Sequence, residues 1–274
     1  MDWQETESPL RTVDNRMANI ENTKHGRAYR IEGYKDLFPS VTTILDIISK
    51  PGLLRWTQNT AFANVKKTLQ DQSGSVQTIS PDWIRQTMNH VKQSYEKERE
   101  EAAVLGTRAH KIIEQLLSGL SPVIDEEMQP IFDSFCQWKS SVDLEITDTE
   151  AVVYSPYYGY AGTIDAIATK GNRQVVIDWK TGNALYPEHS FQVAAYARAL
   201  AEITQTETPQ AWVIRLGKRK IEVEPRKILD VDPPFQSFRA ALYLWRSLHT
   251  CSSITVSRYA VYIRLPVLCS NSFT

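Results

Sequence analysis

A chain of 274 residues, 42% of them hydrophobic, has apolar material for one large domain or a domain with an appended part. Its formal net charge of −1 excludes a globally basic nucleic-acid coat, but leaves room for a local basic groove beside an acidic site. Cys136, Cys251 and Cys269 show no Cys-x-x-Cys spacing, which argues against a disulfide framework, a zinc site or an iron–sulfur cluster and suits a reducing compartment.

Residues 1–35 read as a polar N-terminal part, poorly ordered to about residue 24, with a short strand at 28–31. Met1-Asp2-Trp3-Gln4-Glu5 lacks a basic region followed by an apolar stretch, so no secretory leader is visible, and its acids make a poor mitochondrial presequence. No apolar run is long enough to span a bilayer, and a cytoplasmic chain without membrane contact is expected. Pro39-Ser40 opens a helical segment, Val41 to Ile48, with Ser40 as N-cap, and Pro51-Gly52 ends it. Leu53 to Leu69 reads as a second helix carrying Arg55, Trp56, Lys66 and Lys67, and Asp71 to Ser80 as a polar loop. Pro81 begins a long charged helical stretch to about Ser118.

Asp125 to Val142 is a further helix, with Ile131, Phe132, Phe135 and Trp138 on one side. From Leu144 the apolar period shifts from about 3.6 to 2, the change from helix to strand. Strands are expected at Glu150–Tyr154, Thr163–Ala168 and Arg173–Lys180. A helix at Ser190–Thr204, strands at Ala211–Leu216 and Lys220–Glu224 around Gly217-Lys218-Arg219, and an amphipathic helix at Phe235–His249 complete the order. This order suits an α/β or α+β fold, a sheet flanked by helices behind an N-terminal helical part. The tail, 251–274, alternates from Val256 to Leu265 as a strand would, but attaches to nothing recognisable.

The chemistry concentrates on one hairpin. Gly162-Thr163-Ile164-Asp165 is followed, thirteen residues after Asp165, by Asp178, in Ile177-Asp178-Trp179-Lys180. Gly171-Asn172 between the strands is a two-residue turn signal. A hairpin centred there places Asp165 opposite Asp178, and directly opposed residues have Cβ atoms about 4.5–5.5 Å apart. Like charges at that distance repel, and a divalent cation turns the repulsion into a binding site. Lys180 follows on the same face as Asp178, where it can orient a water or stabilise charge on a phosphate. Read without the opposed aspartate, Asp-x-Lys is an ordinary surface pair.

Two helical pairs extend the set. His110 and Glu114 are four apart and share a helix face, as a metal-ligating imidazole and a supporting carboxylate would. Gln192 and Tyr196 share another face, where an amide and a hydroxyl can hold a phosphate or the lysine. Either pair alone reads as polar edging of an amphipathic helix. Glu150, at the start of the preceding strand, either adds to the negative cluster or pairs with an arginine outside it.

The ordered set Gly106-x-x-x-His110-x-x-x-Glu114, Gly162-Thr163-Ile164-Asp165, Asp178-Trp179-Lys180-Thr181-Gly182 and Gln192-Val193-x-x-Tyr196 resembles the RecB-like branch of the PD-(D/E)XK nucleases. Upstream, Phe38-Pro39-Ser40-Val41-Thr42-Thr43-Ile44-Leu45 and Leu54-Arg55-Trp56 resemble the mitochondrial genome maintenance exonuclease group. The resemblance implies a restriction-endonuclease-like core with a mixed sheet over residues 36–250, 36–105 being a helical DNA channel and 106–250 the catalytic core. It implies an exonuclease that takes single-stranded DNA by its free ends, with a role in repair, recombination or replication. His110, Asp165 and Asp178 become metal ligands, with Glu114 beside them, for magnesium or manganese. Lys180 becomes the catalytic lysine, supported by Gln192 and Tyr196. Arg55, Trp56 and Arg108, with Lys66, Lys67, Lys92 and Tyr95, would meet the strand. The iron–sulfur cysteines of some RecB-like relatives are missing, so no such cluster is expected. The weak presequence suits a bacterial or viral chain better than an organellar one. No helicase motif is visible, so any motor would be a separate chain. An endonuclease acting within a larger complex and an inactive DNA-binding module of the same fold are the alternatives.

Overall fold

The computed structural model describes residues 10–48, 51–71 and 80–250. The first of these depart from expectation. Residues 10–39 form a four-stranded antiparallel sheet from β1 (Leu10–Arg11), β2 (Met17–Thr23), β3 (Gly26–Ile31) and β4 (Phe38–Pro39). Polarity misled because one face of this small sheet stays in water. The other face packs Ala18, Tyr29, Ile31 and Phe38 onto Val152, Tyr154 and Ala161 of the main sheet.

Ser40 caps α1 (Val41–Leu45) as expected, its hydroxyl accepting from the Thr43 N–H at 3.0 Å. The helix is shorter than the periodicity to Ile48 suggested. Pro51 starts α2 (Pro51–Asp71) rather than ending α1, as its fixed φ and missing N–H allow in a first turn. Ser80 caps α3 (Pro81–Leu117), a continuous 37-residue helix that crosses the boundary expected near residue 105. It packs against α2, while its Ala109 and Ile113 enter the main core. α4 (Gln129–Ser141) follows.

The main sheet has the order β5 (Glu145–Ser155), β6 (Tyr160–Lys170), β7 (Arg173–Lys180), β8 (Gln210–Leu216), β9 (Val223–Ile228). All neighbours are antiparallel except β7 and β8, which run parallel. That pair requires a crossover, and α5 (Pro187–Thr204) supplies it. The last strand, expected at Lys220–Glu224, begins only at Val223, because 217–222 is spent on a closed turn in which the Gly217 N–H donates to the Glu222 carbonyl at 2.8 Å. α6 (Asp232–Thr250) packs beside α5. One sheet face buries Ile164, Ile167, Val176 and Val213 under α1, α5 and α6. The other buries Ala166, Ala168, Ile177, Trp179 and Ile214 under α3 and α4, with Trp138 and Trp179 edge to face at 5.9 Å. This is the mixed sheet between helices expected of a restriction-endonuclease-like α/β fold. Among the described residues no helix is long and apolar enough to cross a membrane. Residues 1–9, 72–79 and 251–274, for which the sequence suggested a polar terminus, a polar loop and a strand-like tail, lie outside the described residues.

Candidate active site

The hairpin turn is where the sequence puts it. β6 and β7 are joined by Gly171-Asn172, Gly171 has φ of +59°, and the pairing Lys170↔Arg173 through Ala166↔Ile177 keeps the expected register. The facing of the two aspartates is different. Ile164 and Ile167 both lie on the α5 side, whereas Ala166 lies on the α3 side, so strict alternation breaks at Asp165. The β5–β6 ladder drops one pair there while keeping its register, and its register shift lies farther along, between Ile146 and Asp148. It pairs Thr149↔Ala166 and Ala151↔Ile164 and passes over Glu150 and Asp165, Glu150 having φ of +50°. A glutamate in this left-handed region is uncommon, and such local strain recurs at functional sites.

The break sends the two carboxylates to different partners. Asp165 turns to α3, where its Oδ1 lies 3.3 Å from Nδ1 of His110, and its Oδ2 accepts the main-chain N–H of Trp179 at 2.8 Å. Asp178 stays on the α5 side. Its Oδ1 accepts from Nε2 of Gln192 at 2.9 Å, and its Oδ2 meets Nζ of Lys180 at 2.7 Å. The same Gln192 amide donates to the Tyr196 hydroxyl at 3.0 Å. The expected face-to-face pair is thus two adjacent charged groups that still feel each other.

His110, Glu150 and Asp165 each offer a ligand atom, and these atoms all lie within 4.8 Å of one another. Glu150, which the sequence left between two roles, is in the cluster. Asp178 and Glu114, expected as ligands, are not members of this group. Asp178 is taken up by Gln192 and Lys180. Glu114 sits one turn along α3 from His110, where its charge still acts on Glu150.

Electrostatics describe a site that holds excess negative charge in partial shelter. Burial alone would pull the His110 imidazolium down, but Asp165 and Asp178 outweigh it and hold its pKa up to about 9. Burial and the Asp165 charge push Glu150 up to about 7. Burial, opposed by Lys180 and aided by Asp165, pushes Asp178 up to about 6. Asp165 itself goes down despite its burial, because His110 and Lys180 face it. Burial works against the Lys180 ammonium, yet Asp178 and Asp165 raise its pKa and keep it charged. A mixed imidazole and carboxylate set that gathers protons when no cation is there has the chemistry of a divalent-metal site.

Smaller residues make room for this arrangement. Gly162 lies under Tyr196, and a side chain there would collide with the ring. Gly106 has no such duty, since a Cβ would meet Thr181 at an ordinary 3.5 Å. The N-terminal sheet reaches the site as well. The Tyr29 hydroxyl sits 2.9 Å from Oγ1 of Thr163 and receives a bond from Arg27 at 2.7 Å, and the Arg27 charge acts on Glu150. Sequence reading missed Arg27 and Tyr29, and no spacing signal links them to a hairpin more than 130 residues later.

The residues expected to hold a strand fare unevenly. Arg108 is engaged by Asp125 and by Glu127, the latter at 2.8 Å, so a phosphate would have to compete for it. Lys66, Lys67 and Lys92 are exposed on α2 and α3. Arg55 and Trp56 belong to α2 and Tyr95 to α3, but their side chains lie outside the described residues. A cleft opens beside Lys180 under α3, with volumes of about 440 and 260 Å³ in two adjoining parts.

The family model of the PD-(D/E)XK nuclease superfamily matches residues 129–246. Among solved structures the chain is similar to that of SSO0001, with 15% identity and a TM-score of 0.32 over 72% of this chain and 87% of that one. It is also similar to an alkaline exonuclease (LHK-Exo) from Laribacter hongkongensis, with 13% identity and a TM-score of 0.34 over 53% of this chain and 79% of the other. A second structure, of LHK-Exo in complex with dAMP, gives 13% identity and a TM-score of 0.34 over 53% and 80%. No curated protein matches the chain. The stretch that matches the PD-(D/E)XK nuclease superfamily model, residues 129–246, is also the stretch that carries the mixed sheet and the aspartate–lysine hairpin.

Proposed function

We propose that this chain is a metal-dependent DNA exonuclease that hydrolyses phosphodiester bonds in single strands entered from a free end. The observation that carries the reading is the group His110, Glu150 and Asp165 standing beside the Lys180–Asp178 ion pair. His110, Glu150 and Asp165 would hold magnesium or manganese, and when bound the ion would polarise a phosphate oxygen and ease deprotonation of a water. The imidazole favours manganese somewhat.

The chain's own residues do the rest. Lys180 stays cationic, so it serves as an electrostatic and proton-donating group toward the phosphate rather than as a base. Asp178 fixes the lysine, Gln192 fixes Asp178, and Tyr196 receives the other Gln192 bond. The Trp179 N–H holds Asp165 toward His110. Single-strand preference is supported by the cleft under α3 and by the exposed lysines of α2 and α3, which suit backbone contact without base reading. The test is cleavage of end-labelled single strands and duplexes in magnesium, manganese and EDTA. Metal-dependent release of short products, faster from single strands, is the expected result; binding without cutting in either metal would leave the inactive module as the better reading.

A further inference from the structure

The two parts of the cleft beside Lys180 differ in charge. Lys180, Tyr186 and Lys218 line both. The smaller part, about 260 Å³, also has His110 in its wall, and among the described residues no carboxylate lines it. The larger, about 440 Å³, adds Arg99 from α3 but also Asp46 and Glu188. An anion is therefore favoured in the smaller part, and a bulkier polar–apolar group in the larger.

Both walls are built rather than incidental. The turn carrying Lys218 closes through the Gly217 N–H and the Glu222 carbonyl, and a Cβ on Gly217 would stand only 2.9 Å from that of Glu222. Across the cleft, Arg226 of β9 donates to the carbonyls of Leu185 at 3.1 Å and Tyr186 at 2.8 Å, which fixes the loop that follows Lys180. Lys180 already has Asp178 as its counter-ion, whereas Lys218 has no carboxylate within ion-pair distance among the described residues. Burial and the neighbouring Arg219 both press on its charge. A partly sheltered cation without a carboxylate partner among the described residues, lining the same cleft as Lys180, is suited to an anionic ligand.

We propose, resting on the nuclease reading, that this double cavity is a subsite for one nucleoside monophosphate unit. The phosphate lies in the smaller part against Lys218, and the sugar and base lie in the larger part against the Tyr186 ring. Lys218 is then a substrate-positioning residue that adds nothing to the cluster around Asp165.

The experiment titrates full-length protein with deoxythymidine 5′-monophosphate and, separately, with thymidine, in EDTA, by calorimetry or NMR. The monophosphate should bind more tightly than the nucleoside. Lys218→Ala should weaken the monophosphate about tenfold and leave thymidine unchanged, and Lys218→Arg should retain monophosphate binding. In cleavage assays Lys218→Ala should raise KM with kcat nearly kept. Equal binding of monophosphate and nucleoside by the native protein, or unchanged monophosphate binding in folded Lys218→Ala, would overturn the subsite. If the native protein cleaves DNA but Lys218→Ala has its KM, the subsite falls and the nuclease reading stands. If no metal supports cleavage while the monophosphate behaves as expected, the subsite stands and the nuclease reading falls.

Discussion

Gly162 and Tyr196 share one space: the backbone of β6 passes so close under the tyrosine ring that only a residue without a side chain fits. That contact ties the first half of the hairpin to α5, and the Gln192 amide ties α5 to Asp178 in the second half. Gly162→Ala should therefore cost about 1–3 kcal/mol through overpacking. It should also reduce cleavage by shifting Tyr196. Denaturant unfolding and single-turnover rates measure the two effects; an alanine variant as stable and active as the native chain would refute the coupling.

Gln192→Ala removes the N–H donor from a buried carboxylate oxygen. Leaving such a group without its partner costs about 1–3 kcal/mol. Gln192→Glu should be worse, because it sets a second carboxylate against Asp178. Urea unfolding of both variants checks the order.

Glu150 distinguishes the structure from the sequence expectation. If it belongs to the metal group, Glu150→Gln weakens manganese binding by about tenfold or more, as His110→Ala does. Glu114→Gln has a smaller effect, through its charge alone. Calorimetric titration with manganese ranks the three, and a Glu114→Gln loss larger than that of Glu150→Gln would restore the sequence-based assignment.

Much of this was legible in the residues. Gly171-Asn172 gave the turn, the apolar alternation gave β7, and Asp178 and Lys180 follow on one side of it. Ser40 and Pro81 marked two helix starts. What stayed hidden depends on backbone irregularity or distant contact. Nothing in Ile164-Asp165-Ala166 announces that alternation breaks there, so Asp165 and Asp178 were expected face to face. Glu150 at φ of +50° is likewise a property of the folded ladder. The small N-terminal sheet was obscured because its polar face dominates a short, half-exposed segment, while its buried face consists of a few scattered residues such as Ala18, Tyr29 and Ile31.

Stability of the metal-free protein should fall as pH rises. His110, with an ordinary pKa of 6.5 and a folded value of about 9, contributes fully below 6.5, and that contribution is lost as pH rises through 9. Glu150 rises from 4.5 to about 7 and Asp178 from 3.8 to about 6, so the folded state holds their protons more tightly and loses stability as they ionise. Asp165, lowered, acts the other way only below its ordinary 3.8. The predicted melting temperature in EDTA declines from about pH 5 to pH 9, and manganese flattens the slope by taking the place of the protons. Thermal scans across that range, with and without the ion, decide it.

The central claim is that the cluster around Asp165, with Lys180, makes this fold an end-dependent nuclease. The most direct measurement is manganese-dependent degradation of matched linear and circular single-stranded DNA by the native chain, Asp165→Asn and Lys180→Ala. The account predicts loss of the linear strand, survival of the circle, and no cleavage by either variant although both remain folded and bind DNA. Circles cut as fast as linear strands would contradict the end requirement, and native-like cleavage by either variant would contradict the site.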